Sequence, residues 1–471
     1  MAVIDEDTFS NIPWNNNSNA SGVSGSSSSA PTIEAEPPTV EDQHHDADLQ
    51  RQDPGLSGDI LECTVSEPRK EQDGTKDAFV SYLITTSSTF PSFQKSLFTS
   101  RRRFTDFVFL YKTLSKDYPA CAVPPLPDKQ RMEYVRGDRF GPDFTNRRAY
   151  SLQRFLARIT LHPILRRAPI FHTFLESPDW NATMKSRASR TSTASEQGSG
   201  GVFDNFADTF INAFTKVHKH DKRFIEVREK SDKLDEDLGH VEKVVARVAR
   251  REVDLEADLR DLTEQFQKLI TLEPGVESAV HGFAASVEDT AAGLRKLREH
   301  TDQDYLGSLR DMQAYSQALK NLLKAREQKQ LDHEQLTEYL NKSTVDRDAL
   351  ASGYGSTGAL GGAGGFIRSK IEDVRGVDHE ASRRERLRKL EMRIDELTSE
   401  AERAKKTSEA FDEEVVKEVV DFERIKRVEL KRQLGGLAGA HVDFYGGVID
   451  VWEQYVRDME KEGLSSSAYT G

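Results

Sequence analysis

Cysteine is nearly missing from this chain: 471 residues contain two, Cys63 and Cys121. Two thiols make neither a disulfide framework nor a metal site, and a reducing compartment is the expectation. Long apolar runs are missing as well. No stretch approaches the roughly 20 apolar residues of a membrane-spanning helix, and the acidic opening MAVIDEDTFS lacks the apolar core of a secretory signal. Hydrophobic residues make up only 36% of the chain, charged residues make up 31%, and the mean hydropathy is -0.64. A large α/β enzyme with a bulky core does not fit such a composition. The catalytic signatures are absent too: there is no GxxxxGKS loop, no HExxH pair, no GxSxG and no Cys/His metal spacing. Neither an enzyme nor a bound cofactor or metal is expected.

What is present is charge, unevenly placed. The net charge is -13, yet residues 58–180 hold 19 Lys/Arg against 14 Asp/Glu. Residues 1–57 hold ten acidic residues against Arg51 alone. A basic block within an acidic chain points to an anionic ligand for that block, and an acidic remainder argues against nucleic acid.

The block boundaries coincide with changes in pattern. Residues 1–57, rich in Ser, Asn, Pro and acid, are expected to be a disordered tail. Residues 58–180 read as one α+β domain. Its strands are expected at Ile60–Val65, Ala78–Ile84 and Lys95–Phe104, followed by helices marked by Phe107, Leu110, Leu114 and by Leu152, Phe155, Leu156, Ile159. Residues 181–201 are expected to be a flexible linker. Residues 202–223 read as an amphipathic helix with Phe203, Phe206, Phe210 and Phe214 on one face, suited either to membrane insertion or to docking on a neighbour.

From 224 to 462 apolar residues recur every three or four positions, as in a coiled coil. The first seam runs Val241, Val244, Val248, Leu255, Leu259, Leu262, Phe266, Leu269. The third runs Leu387, Leu390, Ile394, Leu397, Ala401, Ala404, Ser408, Phe411, Val415, Glu418, Phe422, Ile425. Pro274-Gly275 and the glycine-rich segment 352–365 should separate three long helices, and Gly435-Gly436 should mark a kink or turn. A second disordered tail is expected from 463 to 471.

Three separated motifs then carry a resemblance. Arg101-Arg102-Arg103-Phe104-Thr105-Asp106-Phe107, Pro124-Pro125-Leu126-Pro127-Asp128-Lys129 and Arg147-Arg148 occur in the order and context of a PX domain. The resemblance implies binding of phosphoinositides, most often phosphatidylinositol 3-phosphate. It implies that Arg103 clamps the 3-phosphate, Phe104 packs beneath the inositol ring, Lys129 meets the 1-phosphate and Arg148 bonds the ring hydroxyls. Asp106 is expected to orient the arginines.

A PX domain, an amphipathic helix and three long helices, in that order, resemble the sorting nexins that carry a BAR domain. The fold class implied is an α+β PX domain, with a three-stranded sheet and helices, followed by an all-α three-helix coiled-coil BAR domain. The implied partners are a membrane containing phosphatidylinositol 3-phosphate and either another PX-BAR sorting nexin or a second copy. The implied setting is the cytosolic face of endosomal and pre-autophagosomal membranes. A coiled-coil adaptor merely addressed by its PX domain is the alternative reading. Arg383, Arg384, Arg386, Arg388 and Lys389 are the expected local basic cluster of an otherwise acidic helical region.

Overall fold

A computed structural model describes residues 58–72, 78–127, 140–194, 221–270, 274–352 and 379–467. The first two strands alternate inward and outward side chains: Leu61 and Cys63 on β1 (Leu61–Glu71), and Tyr82, Ile84 and Thr86 on β2 (Phe79–Ser88), are buried. This period of two buries one face of an antiparallel sheet completed by β3 (Leu97–Arg103), in the order β1-β2-β3. The buried face is covered by helices. Phe107, Leu110 and Leu114 come from α1 (Phe104–Asp117), and Leu152, Phe155, Leu156 and Ile159 from α2 (Pro142–Leu161). Phe171 and Phe174 come from α3 (Pro169–Glu176), and Phe174 lies edge-on to Phe107 at 5.0 Å between centroids.

The expected linker begins instead as a helix, α4 (Trp180–Ala194). Trp180 is buried against Phe109 and Phe174, Asp179 accepts the Ala182 N–H at 3.2 Å, and Arg187 pairs with Asp117 at 2.9 Å. Those anchors hold the first turns, and no Pro or Gly follows until Gly198 to stop the helix.

The rest is helical. Helix α5 (Lys222–Ile270) ends before Pro274; α6 (Glu277–His300), a π turn (Thr301–Leu306) and α7 (Gly307–Ala351) form one uninterrupted rod; α8 (His379–Ser467) runs back along it. At 1.5 Å per residue, α8 is about 130 Å long. Gly435-Gly436 makes no turn: α8 passes straight through, because the burial of Glu429 and Gln433 before the pair and the half-burial of Leu437 after it hold the helix against two weak residues. The helix also continues to Ser467, into the stretch expected as tail.

The fold class read from the sequence, a three-stranded sheet with helices and then a long all-α region, is what the chain adopts. Among the described residues no helix is long and apolar enough to cross a membrane.

The seams divide. Every position of the third, from Leu387 to Ile425, faces the chain's own helices, and Val415, Glu418, Phe422 and Ile425 are fully enclosed. On α5 the intramolecular contact is made by Phe224, Leu238, Glu256 and Thr263, while Val241, Val244, Val248, Leu255, Leu262 and Leu269 remain exposed.

The PX domain and the long helices meet along α2. Its apolar stripe enters the PX core; Arg147, Ser151, Arg154 and Arg158, at spacings of four and three, face the π turn, α7 and α8. Arg158 is enclosed and grips Glu429 with two bonds of 2.7 and 2.6 Å, a geometry that suits a planar guanidinium. Burial works to lower the Arg158 pKa, but Glu429 and Asp311 outweigh it and the cation is held more firmly than usual.

Candidate functional site

The three consecutive arginines at the end of β3 have three different fates. Arg101 is folded back onto β1, where its guanidinium donates to the Glu67 carbonyl at 3.2 Å and carboxylate at 3.1 Å. That arrangement uses a bulge in β1 at which Glu67 adopts φ +44°. Arg102 is buried: it donates to the carbonyls of Phe174 at 2.8 Å and Ser177 at 2.5 Å, and its guanidinium lies over the Phe174 and Trp180 rings. Burial lowers its pKa against a smaller upward pull from Asp106. Arg103 alone keeps 44% of its side chain exposed.

Arg103 is also aimed. Asp106, one turn into α1 and nearly buried, accepts the Arg103 N–H at 2.9 Å and its Nε–H at 3.4 Å. The guanidinium is then set 5.7 Å from the centroid of the Phe79 ring. Arg148 reaches the same end of the sheet from α2, lying 4.5 Å from the centroid of Phe104 and 4.2 Å from that of Phe144. Burial pushes the nearby Tyr82 phenol up, with Arg148 working against that shift. Lys70, at the far end of β1, lies 4.7 Å from the Phe140 centroid.

Of the residues expected to hold a headgroup, the structure brings Phe104 and Arg148 together, and Arg103, next to Phe104 in the chain, lies against Phe79. Lys129 lies outside the described residues, as do Phe203, Phe206, Phe210 and Phe214. Phe79 and Phe144 were not foreseen. Phe144 had a legible signal, since it precedes Arg148 by four positions on one helix and so shares its face; Phe79 depends on strand register and had none. The arrangement offers planar cations held against aromatic faces, which suits a phosphorylated ring: bidentate donors for phosphate oxygens and flat apolar surface for the ring.

One other cluster has the composition of a metal site. Cys121, His162 and Glu418 bring one donor atom each within 4.8 Å of one another. Their protons argue for a latch instead. The backbone N–H groups of Ile164 and Leu165 both donate to His162 Nδ1, at 3.2 and 3.1 Å, so the ring proton sits on Nε2 and is donated to Glu418 at 2.8 Å. The Ala122 N–H donates to the other Glu418 oxygen at 3.0 Å. Burial, reinforced by Glu418, pushes the Cys121 thiol well above its ordinary range. The expected basic cluster on α8 is also largely committed. Arg383 donates to the Leu350 and Ala351 carbonyls that end α7, Arg384 pairs with Glu380, and Lys389 pairs with Glu385.

The fold and this site define a PX-domain protein with a long helical extension, and comparison with known proteins agrees. The PX domain family matches residues 90–178. The chain is 70% identical over 467 residues to Sorting nexin-4 of Gibberella zeae, covering 98% of each chain. It is 67% identical over 489 residues to Sorting nexin-4 of Neurospora crassa, covering 98% of this chain and 99% of that one. With Sorting nexin-4 of Cryptococcus neoformans the identity is 39% over 406 residues, covering 86% and 82%. Among solved structures, the cryo-EM structure of the SNX-BAR Mvp1 tetramer matches at a TM-score of 0.47 and 17% identity, covering 84% of this chain and 99% of that one. The chain belongs to the sorting nexin-4 family, a family of membrane-associated sorting proteins.

Proposed function

We propose that this chain is a non-enzymatic peripheral membrane protein whose PX domain binds phosphatidylinositol 3-phosphate. Arg103 holds the 3-phosphate, Phe104 supports the ring, Lys129 meets the 1-phosphate and Arg148 reads the unphosphorylated hydroxyls. The observation that carries this reading is the division of labour among three neighbouring arginines: two are consumed by the fold, and the third is left accessible beside an aromatic face. A single headgroup gives modest affinity, so stable attachment needs a second membrane contact. Phe203, Phe206, Phe210 and Phe214 suit that role by pattern.

The helical region acts as a BAR dimer that senses or induces curvature. The bare stripe from Val241 to Leu269 on α5 supports this, since six exposed aliphatic side chains at heptad spacing call for a partner helix. The partner is another PX-BAR sorting nexin or a second copy. Recruited to endosomal and pre-autophagosomal membranes, such a dimer serves endosome-to-Golgi retrieval of cargo and selective autophagy. Vesicle flotation tests the lipid assignment: Arg103→Ala should release the protein from vesicles containing phosphatidylinositol 3-phosphate. Undiminished flotation of that variant would overturn it.

A further inference from the structure

The contact between the PX domain and the long helices is charged where most packing contacts are apolar, and it is centred on the π turn. Asp302 within that turn pairs with Arg147, and Asp304 takes Arg154 Nη1 at 2.9 Å. Asp311, one turn into α7, takes Arg154 Nε at 2.8 Å and the Ser151 hydroxyl at 2.5 Å. Arg154 is only 4% exposed. Immediately after the turn, Gly307 leaves room for it: a Cβ there would stand 2.9 Å from Arg154 Nη2. A π turn is a rare interruption of a helix, and it widens the backbone here where α2 crosses.

Further along, Arg158 with Glu429 and His162 with Glu418 add two enclosed rungs. Arg424 completes the series by donating to the Leu161 carbonyl at 2.8 Å. An apolar contact of this size could slide by a fraction of a turn at little cost. The enclosed members of this contact, Arg154, Arg158, Glu429 and Glu418, cannot, because a slipped register would part them from their partners away from water.

The same contact adjoins Arg148 and the described residues that precede Lys129 in the chain. Helix α2 carries Arg148 one residue from Arg147. The segment leading to Lys129 is tied to α8 through the Ala122 N–H on Glu418. Leu126 and Pro127, at the end of that segment, line a crevice with Arg147, Arg154, Asp302 and Arg310.

We propose that the π turn, through Asp302, Asp304 and the gap at Gly307, is a positioning element for the lipid site. It fixes the PX domain in one orientation on the long helices, so that headgroup capture and contact of the helices with the bilayer occur together. The functional half of this proposal rests on the lipid reading above; the orientation itself does not.

Gly307→Ala is the discriminating variant. Alanine favours helix over glycine, so a merely structural glycine would be improved by the change, whereas a positioning glycine would lose Arg154 from Asp304. Asp304→Asn removes the same pair without adding bulk and serves if the first variant folds poorly. In the full chain, nitroxides are placed on non-natural residues at Leu97 and Val420, both exposed, which spares the thiol of Cys121. Both variants should broaden the pulsed-dipolar distance distribution. Binding to vesicles of phosphatidylcholine with phosphatidylinositol 3-phosphate should fall by about fivefold or more, as expected when two linked contacts lose their common geometry. Affinity for a soluble short-chain phosphatidylinositol 3-phosphate should change by less than about twofold, since the pocket's own residues are untouched. An unchanged narrow distribution would overturn the proposal. So would an equal loss of vesicle and soluble binding, which would place the effect inside the pocket. Arg103→Ala run in parallel separates the two ideas: if it retains both kinds of binding, the lipid reading fails, and the distance distribution still decides the orientation.

Discussion

Helices α5 and α8 carry the same apolar repeat, and the chain treats them in opposite ways. From Leu387 to Ile425 the repeat on α8 is covered by the chain's own helices; on α5 six positions of the repeat between Val241 and Leu269 face outward, with Val244 48% exposed and Leu255 50% exposed, while Phe266 packs on Phe283. The difference shows that a coiled-coil pattern specifies a partner helix without saying which molecule supplies it. On α8 the partner is in the same chain. On α5 a different set of residues, Leu238, Glu256 and Thr263 among them, makes most of the internal contact, and six aliphatic positions of the stripe read from the sequence stay exposed.

Substitutions at matched positions separate the two stripes. Val415→Asp, in the covered seam, buries an unpaired carboxylate and should cost roughly 4 kcal/mol or more, seen as loss of the cooperative thermal transition. Val244→Glu with Val248→Glu, in the bare stripe, should leave the melting temperature nearly unchanged and reduce the mass in sedimentation equilibrium to one chain. If the second variant unfolds the protein as the first does, the distinction between the stripes is wrong.

The enclosed charges sharpen the comparison, because α8 buries acid as well as hydrocarbon. Arg158→Ala strands Glu429, 3% exposed, and should destabilise by about 3–5 kcal/mol. Replacing the pair together, Arg158→Met with Glu429→Leu, should recover most of that loss in thermal unfolding. Failure to recover would mean that the surrounding bonds from Gln433 and the Asp311 carbonyl, not the ion pair, hold this part of the contact.

A smaller effect is expected at Gly435 and Gly436, where an added Cβ would meet nothing within 4 Å. Each substitution by Ala should stabilise α8 by up to about 1 kcal/mol, measured by thermal unfolding at a protein concentration where the chain is monomeric. A loss of stability there would show that the glycines relieve a strain that helix propensity does not describe.

Much of the architecture was legible beforehand, for identifiable reasons. The strand pattern placed the first parts of β1 and β2, up to Val65 and Ile84, and the three-four spacing placed the core face of α2. What escaped was whatever depends on tertiary surroundings. Arg103 was singled out only through the resemblance; the fates of Arg101 and Arg102, fixed by the bulge at Glu67 and by the carbonyls of Phe174 and Ser177, were not legible. The stripe Arg147, Ser151, Arg154, Arg158 has perfectly regular helical spacing, yet charged residues at that spacing read as a solvated face until acidic partners up to some 270 positions away are brought opposite. Gly435-Gly436 read as a turn because local propensity was weighed without the neighbouring turns. Helix α4 was missed because its Ser, Thr and Arg content is that of a linker, and only the burial of Trp180 commits it.

The division among the three arginines is the central claim, and calorimetric titration of a soluble short-chain phosphatidylinositol 3-phosphate against single variants tests it most directly. Arg103→Ala should abolish measurable binding while unfolding normally, and Arg101→Ala, whose guanidinium is spent on Glu67, should bind within about twofold of the unaltered protein. Equal losses from the two variants would mean that bulk positive charge, and not one aimed guanidinium, captures the lipid, and would contradict the account.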